Sequence, residues 1–409
     1  MRRATFLAFV VLLGAIAATV PSSSTPATAA PPTVVSATNP NSVSLTSPGL
    51  FVVQSITIPK GTWTLVGKAS VINAGTSGDF FRCQLVDTTH ATALDGATTF
   101  LNPSIPYDVV TNLAVFTATG RVTITQECGH DGTAGNAGGF VDGESNLVAF
   151  AATPQRVRVA TAGAQTDLPS GVNKGVLTLT LPPGAWVVLA KVTPVVLSAA
   201  SVQVVCSDEA VNGGAQRELG TSSGLHAAST IFDAGELKAA KRKTVHLNCT
   251  AAGSGAYIDP GAVLFAWKAT TVKRASSSTC PVDGTTAAAT DALVLTQTGQ
   301  CLLAPGTRSS PLAHAQLQPG TWVALGGAFD IASQGLNIGR CELYEPKQML
   351  LLDSSGASMS AVAGYPITGL ANLAVVKTTR ARAVDADCGE DREGATGFST
   401  GASWVFVKP

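Results

Sequence analysis

The chain has 409 residues, with 26 basic and 26 acidic side chains in exact balance of number. Neutrality and a charged fraction of only 13% exclude the uniformly basic surface by which nucleic acid or an anionic membrane is bound. Eight cysteines, none in Cys-x-x-Cys spacing, predict disulfides of an oxidising compartment over metal or redox sites.

Met1-Arg2-Arg3 is a positive opening, Phe6 to Val20 is apolar, and Ala27-Thr28-Ala29 offers a small-residue cleavage site. Residues 1–29 therefore read as a signal peptide, on the general secretory route with the twin-arginine route as the alternative that Arg2-Arg3 leaves open, and the chain is expected to be secreted and extracellular. Its removal takes Arg2 and Arg3 away, leaving 24 basic against 26 acidic residues and a net charge of −2. No later segment has the roughly 18 uninterrupted apolar residues of a spanning helix. Residues 30–46, rich in Pro, Ser, Thr and Asn, are expected to form a flexible tail.

Beyond the tail one pattern occurs three times. Pro59-Lys60-Gly61-Thr62-Trp63, Pro183-Gly184-Ala185-Trp186 and Pro319-Gly320-Thr321-Trp322 each open an apolar run. A cysteine follows each tryptophan after 20, 20 and 19 residues, at Cys83, Cys206 and Cys341. A second follows after 45, 43 and 47, at Cys128, Cys249 and Cys388. Each copy closes on a short apolar strand at 146–150, 262–267 and 403–407. Constant offsets mark a repeated fold, with units at 47–153, 154–270 and 271–409.

Within a copy the period is two. Val122, Ile124 and Cys128 alternate with Thr123, Thr125 and Glu127, and the stretches before Cys249 and Cys388 do likewise, so the cysteines should face inward from half-buried strands. Only Phe232 to Lys243 reads as a helix, weakened by Gly235. The expectation is all-β: three tandem antiparallel β-sandwich domains of jelly-roll type, each with one intradomain disulfide. Closing 43 to 47 residues removes roughly 4 kcal/mol of unfolded-state entropy. Trp63, Trp186 and Trp322 are the expected core anchors, each needing a partner for its indole N–H. Cys280 and Cys301 have no counterpart in the other copies and read as a staple tying the second connector to the third unit.

A Pro-Gly-x-aromatic turn opening a strand, with a closing apolar strand about 85 residues later, resembles the jelly roll of the tumour necrosis factor and complement globular-head superfamily. The resemblance implies fold class and carries no binding residues; the paired cysteines depart from it. An immunoglobulin domain is disfavoured, because its core tryptophan follows the first cysteine and here it precedes it. The Ala- and Gly-rich, Lys-poor style resembles that of secreted proteins from high-GC bacteria.

Candidate chemistry is sparse. Gly220-Thr221-Ser222-Ser223-Gly224 has nucleophile-elbow spacing, but lacks the flanking strand and helix that would make Ser222 catalytic. His90, His130, His226, His246 and His314 show no metal-ligand spacing. Cys128-Gly129-His130-Asp131-Gly132 and the run from Asp385 to Asp391 put carboxylates after a second cysteine. Asp385, Asp387, Glu390 and Asp391 are thus calcium candidates if that run is a turn; no other cofactor or metal is implied. Lys238, Lys241, Arg242 and Lys243 read as an exposed turn guarding a sheet edge, or as a contact for an anionic wall polymer. Asn248-Cys249-Thr250 is a sequon discounted for lying on a strand. Trp267, Trp404 and Tyr257 are the aromatic candidates for a sugar platform, though their surroundings read as core. The leading expectation is a non-catalytic structural or adhesive module with an extracellular ligand or glycan as partner and room for a homo-oligomer. A carbohydrate- or wall-polymer-binding protein is the second reading, a serine hydrolase the third.

Overall fold

The structure is a computed structural model describing residues 33–409, apart from 104–105, 133–137, 198–201, 209–215, 220–226, 229–230, 288, 304–309, 333–335, 361–366 and 391–396. Residues 1–29, read above as a signal peptide, the Ser222 segment, His226 and Asp391 lie outside the described residues. Among the described residues all regular secondary structure is strand, and no helix is long and apolar enough to cross a membrane.

Among the described residues strand pairing stays within residues 34–151, 157–269 and 272–407, and each stretch repeats one topology. In the first, Gly49–Ile58, Val122–His130, Asp79–Asp87 and Thr92–Leu101 form one antiparallel sheet in that order. Facing it, Gly61–Asn73 lies between Ser145–Ala151 and Tyr107–Ala118. The residues read as inward are buried: Val122, Ile124 and Cys128, Val245, Leu247 and Cys249, and Val384, Ala386 and Cys388. Strict alternation holds in copy two, whereas Thr125, Ala383 and Asp387, expected to face out, are buried as well. Cys83 and Cys128 are register partners with Cα atoms 4.1 Å apart and are bonded, as are Cys206–Cys249 and Cys341–Cys388. Cys280 is bonded to Cys301.

The Gly-x-Trp turn explains its own repetition. Gly61, Gly184 and Gly320 sit at φ 149°, 151° and 147°, a region closed to side chains. That backbone reversal brings each indole N–H back over the turn. Trp63 donates to the Pro59 carbonyl at 2.9 Å, Trp186 to Pro182 at 2.9 Å and Trp322 to Gln318 at 2.8 Å. In copies two and three the indole and the disulfide share a core cluster. In copy one they occupy adjoining clusters, and this copy carries the buried amides Gln54, Gln126 and Asn112.

Three local expectations are corrected. The flexible tail expected over 30–46 includes two paired strands, Val34–Asn39 on Ser145–Ala151 and Val43–Leu45 on Gly139–Val141. Phe232 to Lys243 is not helical: Ile231–Ala239 pairs along its length with Gly184–Val192, and Lys243 opens the next strand. Gly235, unfavourable in a helix, lies opposite Val188, where pairing and burial override local preference. The acidic run after Asp385 is not a turn either, since Arg382–Glu390 is one strand paired on both sides.

The copies are closed on one another. Leu350–Ser360 of copy three packs on Tyr107–Ala118 of copy one, Thr92–Leu101 of copy one on Ala227–Ala228 of copy two, and Gln216–Leu219 of copy two on Ile367–Thr378 of copy three. These are equivalent strands in a cyclic order, a pseudo-threefold within one chain. Its axis is apolar. Val66, Leu189 and Leu325, each three residues past the repeated tryptophan, share a cluster with their register partners Val148, Phe265 and Val405. Described residues of all three copies belong to one compact unit.

Candidate binding cleft

The junctions are locked by charge. Lys68, five residues past Trp63, is 1% exposed, and its ammonium lies 2.5 Å from Asp353 of copy three. Asp353 also accepts from Asn146 Nδ2, Asn372 Nδ2 at 2.9 Å and the Leu373 N–H at 3.0 Å. Lys191, five past Trp186, repeats this toward Asp95 of copy one at 2.6 Å, with Asn112 Nδ2 at 3.1 Å and the Leu113 N–H at 3.0 Å. Both aspartates stand twelve residues past the first cysteine of their copy. At the third junction the lysine position is Gly327, where an added Cβ would lie 2.0 Å from the Leu370 carbonyl. Charged groups this deep must be paired and hydrogen-bonded to remain ionised, and these are.

Above the Lys191 pair a cleft of about 560 Å³ opens between copies one and two. One wall comes from alternation on the Cys83 strand: with Cys83 turned into the core, Arg82 and Gln84 face out. Arg82 binds Asp131 in bidentate fashion, Nε and Nη2 each 2.8 Å from a carboxylate oxygen. That hydrogen-bonded carboxylate holds the guanidinium above its ordinary value. Gln84 donates to Glu127 at 3.0 Å. His130 is buried beneath, its Nδ1 2.9 Å from Asp79, which also accepts the Gly132 N–H at 3.1 Å. The opposite wall carries Asp259 of copy two. Burial pushes the Asp259 carboxyl up, opposed by the Arg82 and Lys191 cations. Nearby, burial also raises the Tyr257 hydroxyl.

A smaller cleft of about 280 Å³ occupies the matching place between copies three and one. Arg340 precedes Cys341 as Arg82 precedes Cys83, and Asp142 follows Val141 as Asp259 follows Ile258. Here Arg340 lies 5.7 Å over the Tyr107 ring, and the Tyr107 hydroxyl donates to Asp142. Burial and that carboxylate push the phenol up. Glu144, at φ 65° in the same cleft, has its carboxyl raised by burial. The third junction has Val205 where the arginine would stand.

The residues singled out by sequence fall elsewhere. Trp267 is buried at the junction of the copies with Arg156 4.2 Å over its ring, Trp404 is buried within copy three, and Tyr257 is half-buried. Among the described residues no group of three or more His, Cys, Asp or Glu side chains is arranged to hold a metal. Asp385 pairs with His314, Asp387 and Glu390 are buried, and Asp131 is bound to Arg82. His90 bonds Asp87 at 2.5 Å, and His246 lies 3.2 Å from the Thr178 hydroxyl. Missed in the sequence were Lys68, Lys191, Asp95 and Asp353. Their signal was present as offsets of five from the tryptophan and twelve from the cysteine.

No family model matches the chain, and neither does any curated protein. Among solved structures, one described as the triple jelly roll fold and turret assembly of an archaeal virus aligns over 87% of this chain and 82% of its own, at 9% identity and TM-score 0.18. An infectious bursal disease virus structure aligns over 90% and 75%, at 10% identity and TM-score 0.22. The CBM22 tandem domain of Paenibacillus barcinonensis Xyn10C aligns over 52% and 82%, at 10% identity and TM-score 0.17. Scores this low leave the question of function to the chain's own geometry.

Proposed function

We propose that this chain is a secreted, non-catalytic binding protein whose ligand is a neutral, hydroxyl-rich molecule of the carbohydrate class, held in the cleft between copies one and two. The observation that carries the reading is the half-exposed Arg82–Asp131 fork beside the Gln84 amide, with Asp259 facing them across the junction. Planar donors and acceptors held rigid against one another suit vicinal hydroxyls, which each donate and accept. Three sandwich domains at 47–153, 154–270 and 271–409 supply the rigidity, and the likeness to tumour necrosis factor and complement heads is taken to extend to threefold packing, here from one chain.

A glycan array probed with the secreted protein tests the reading. Binding of uncharged glycans, lost at least tenfold in Arg82→Ala/Gln84→Ala with an unchanged melting temperature, is the expected outcome. Unaltered binding in that variant would move the site elsewhere.

A further inference from the structure

Overall neutrality hides a strongly uneven distribution of charge. In copy three a second concavity of about 710 Å³ lies between the turn after Glu345 and the turn joining Ile367–Thr378 to Arg382–Glu390. It is lined by Lys347, Lys377, Arg380 and Arg382, with Glu345 as its carboxylate. Glu345 is engaged: Arg382 Nη2 binds it and also lies 3.1 Å from Gln348 Oε1. Lys347, Lys377 and Arg380 are exposed, and among the described residues none of the three pairs with a carboxylate.

The same charges recur in copy two. Lys377, Arg380 and Arg382 stand 11, 8 and 6 residues before Cys388, and Lys238, Lys241 and Lys243 stand 11, 8 and 6 before Cys249. In copy one those positions are Thr117, Gly120 and Val122. A threefold rotation keeps every point at constant height along its axis, so equivalent turns share one end of the molecule. Lys268 and Lys408, set over Trp186 and Trp322, add to that end. The copies concerned are neighbours, since Ile231–Ala239 of copy two packs on Gly320–Ala332 of copy three.

We infer that this end binds a linear polyanion, a polymer bearing phosphate or sulfate groups, laid across the turns of copies two and three. A single anion would need one of these turns, not both. Copy one brings Lys60 and Arg121 to that end, fewer cations than either neighbour, so the charge is densest along the line joining copies two and three, which fits a strand-like ligand. Met349, 82% exposed on the same hairpin, is the feature a lipid surface would use instead. The site lies apart from the Arg82 cleft, which sits at the opposite ends of its strands.

The test uses the full secreted protein and fluorescein-labelled polyphosphate, with dextran sulfate as a second polymer, followed by anisotropy across a salt series. Saturable binding is expected, with log K falling linearly in log salt. Lys347→Glu/Lys377→Glu/Arg380→Glu should weaken it by at least tenfold and lower the salt slope by about one for each cation removed. Arg382 is left in place because it ties Glu345. Lys174→Glu, an exposed charge at the other end of its sheet, should change nothing. Failure of the wild-type protein to bind at low salt would overturn the inference. So would equal losses in Lys174→Glu, or capture by vesicles containing anionic lipid with neither polymer bound.

Discussion

A lysine with almost no exposed surface keeps its charge only if a counter-charge is held in place, and Lys68 and Lys191 show how completely that must be arranged. Each faces one aspartate, and each aspartate is met by an asparagine amide and a backbone N–H as well. Removing one partner is therefore worse than removing both. Lys191→Met should cost about 3–5 kcal/mol in urea unfolding, because Asp95 would remain buried and unpaired. Asp259 behaves in the opposite sense. Its folded-state carboxyl is raised by burial above the ordinary 3.8, so the folded state binds more protons than the unfolded one just above that pH, and stability falls as pH rises through the window. Asp259→Asn should accordingly melt higher than wild type at pH 7, with the gain vanishing below about pH 3.8. A gain independent of pH would show that the carboxylate's charge is not its cause.

At the scale of the element, period-two alternation was legible where a strand is half-buried, as before Cys249, and less so before Cys128 and Cys388, where Thr125 and Asp387 are covered too. The Gly-x-Trp turn was legible as punctuation, and the structure adds its cause in the positive φ and the indole N–H returned to a carbonyl four residues back. Cysteine pairing followed from equal spacing, and adjacent strands place the sulfurs across a single register pair. Replacing Cys83 and Cys128 together by alanine should lower stability by roughly 2–5 kcal/mol, read from the shift in denaturant midpoint. A change well under 1 kcal/mol would mean that the strand pairing alone holds this sheet. Where local pattern misled, tertiary contact was the reason: Phe232 to Lys243 carries helix-compatible residues, yet a full-length pairing with Gly184–Val192 decides its state. Asp385, Asp387 and Glu390 looked like a ligand loop because acidic residues cluster in turns, whereas here Asp385 finds His314 from an adjacent strand.

The whole molecule was the least legible level. Repeats announce that a fold is copied but not how the copies meet, and a chain of beads would satisfy the same offsets. What distinguishes a closed ring is the coincidence of Lys68 and Lys191 at one offset with Asp353 and Asp95 at another, a relation between distant residues that periodicity within a strand cannot express. The two clefts are consequences of that closure, since each is lined by side chains from two copies. The most direct measurement is a double-mutant cycle on Lys68 and Asp353, 285 residues apart, using Lys68→Met, Asp353→Leu and the pair in denaturant unfolding. A closed body predicts a coupling of at least about 2 kcal/mol, with the double variant recovering most of what either single change loses. Additivity to within about 0.5 kcal/mol would place the two residues out of contact and contradict the closure of copy three on copy one.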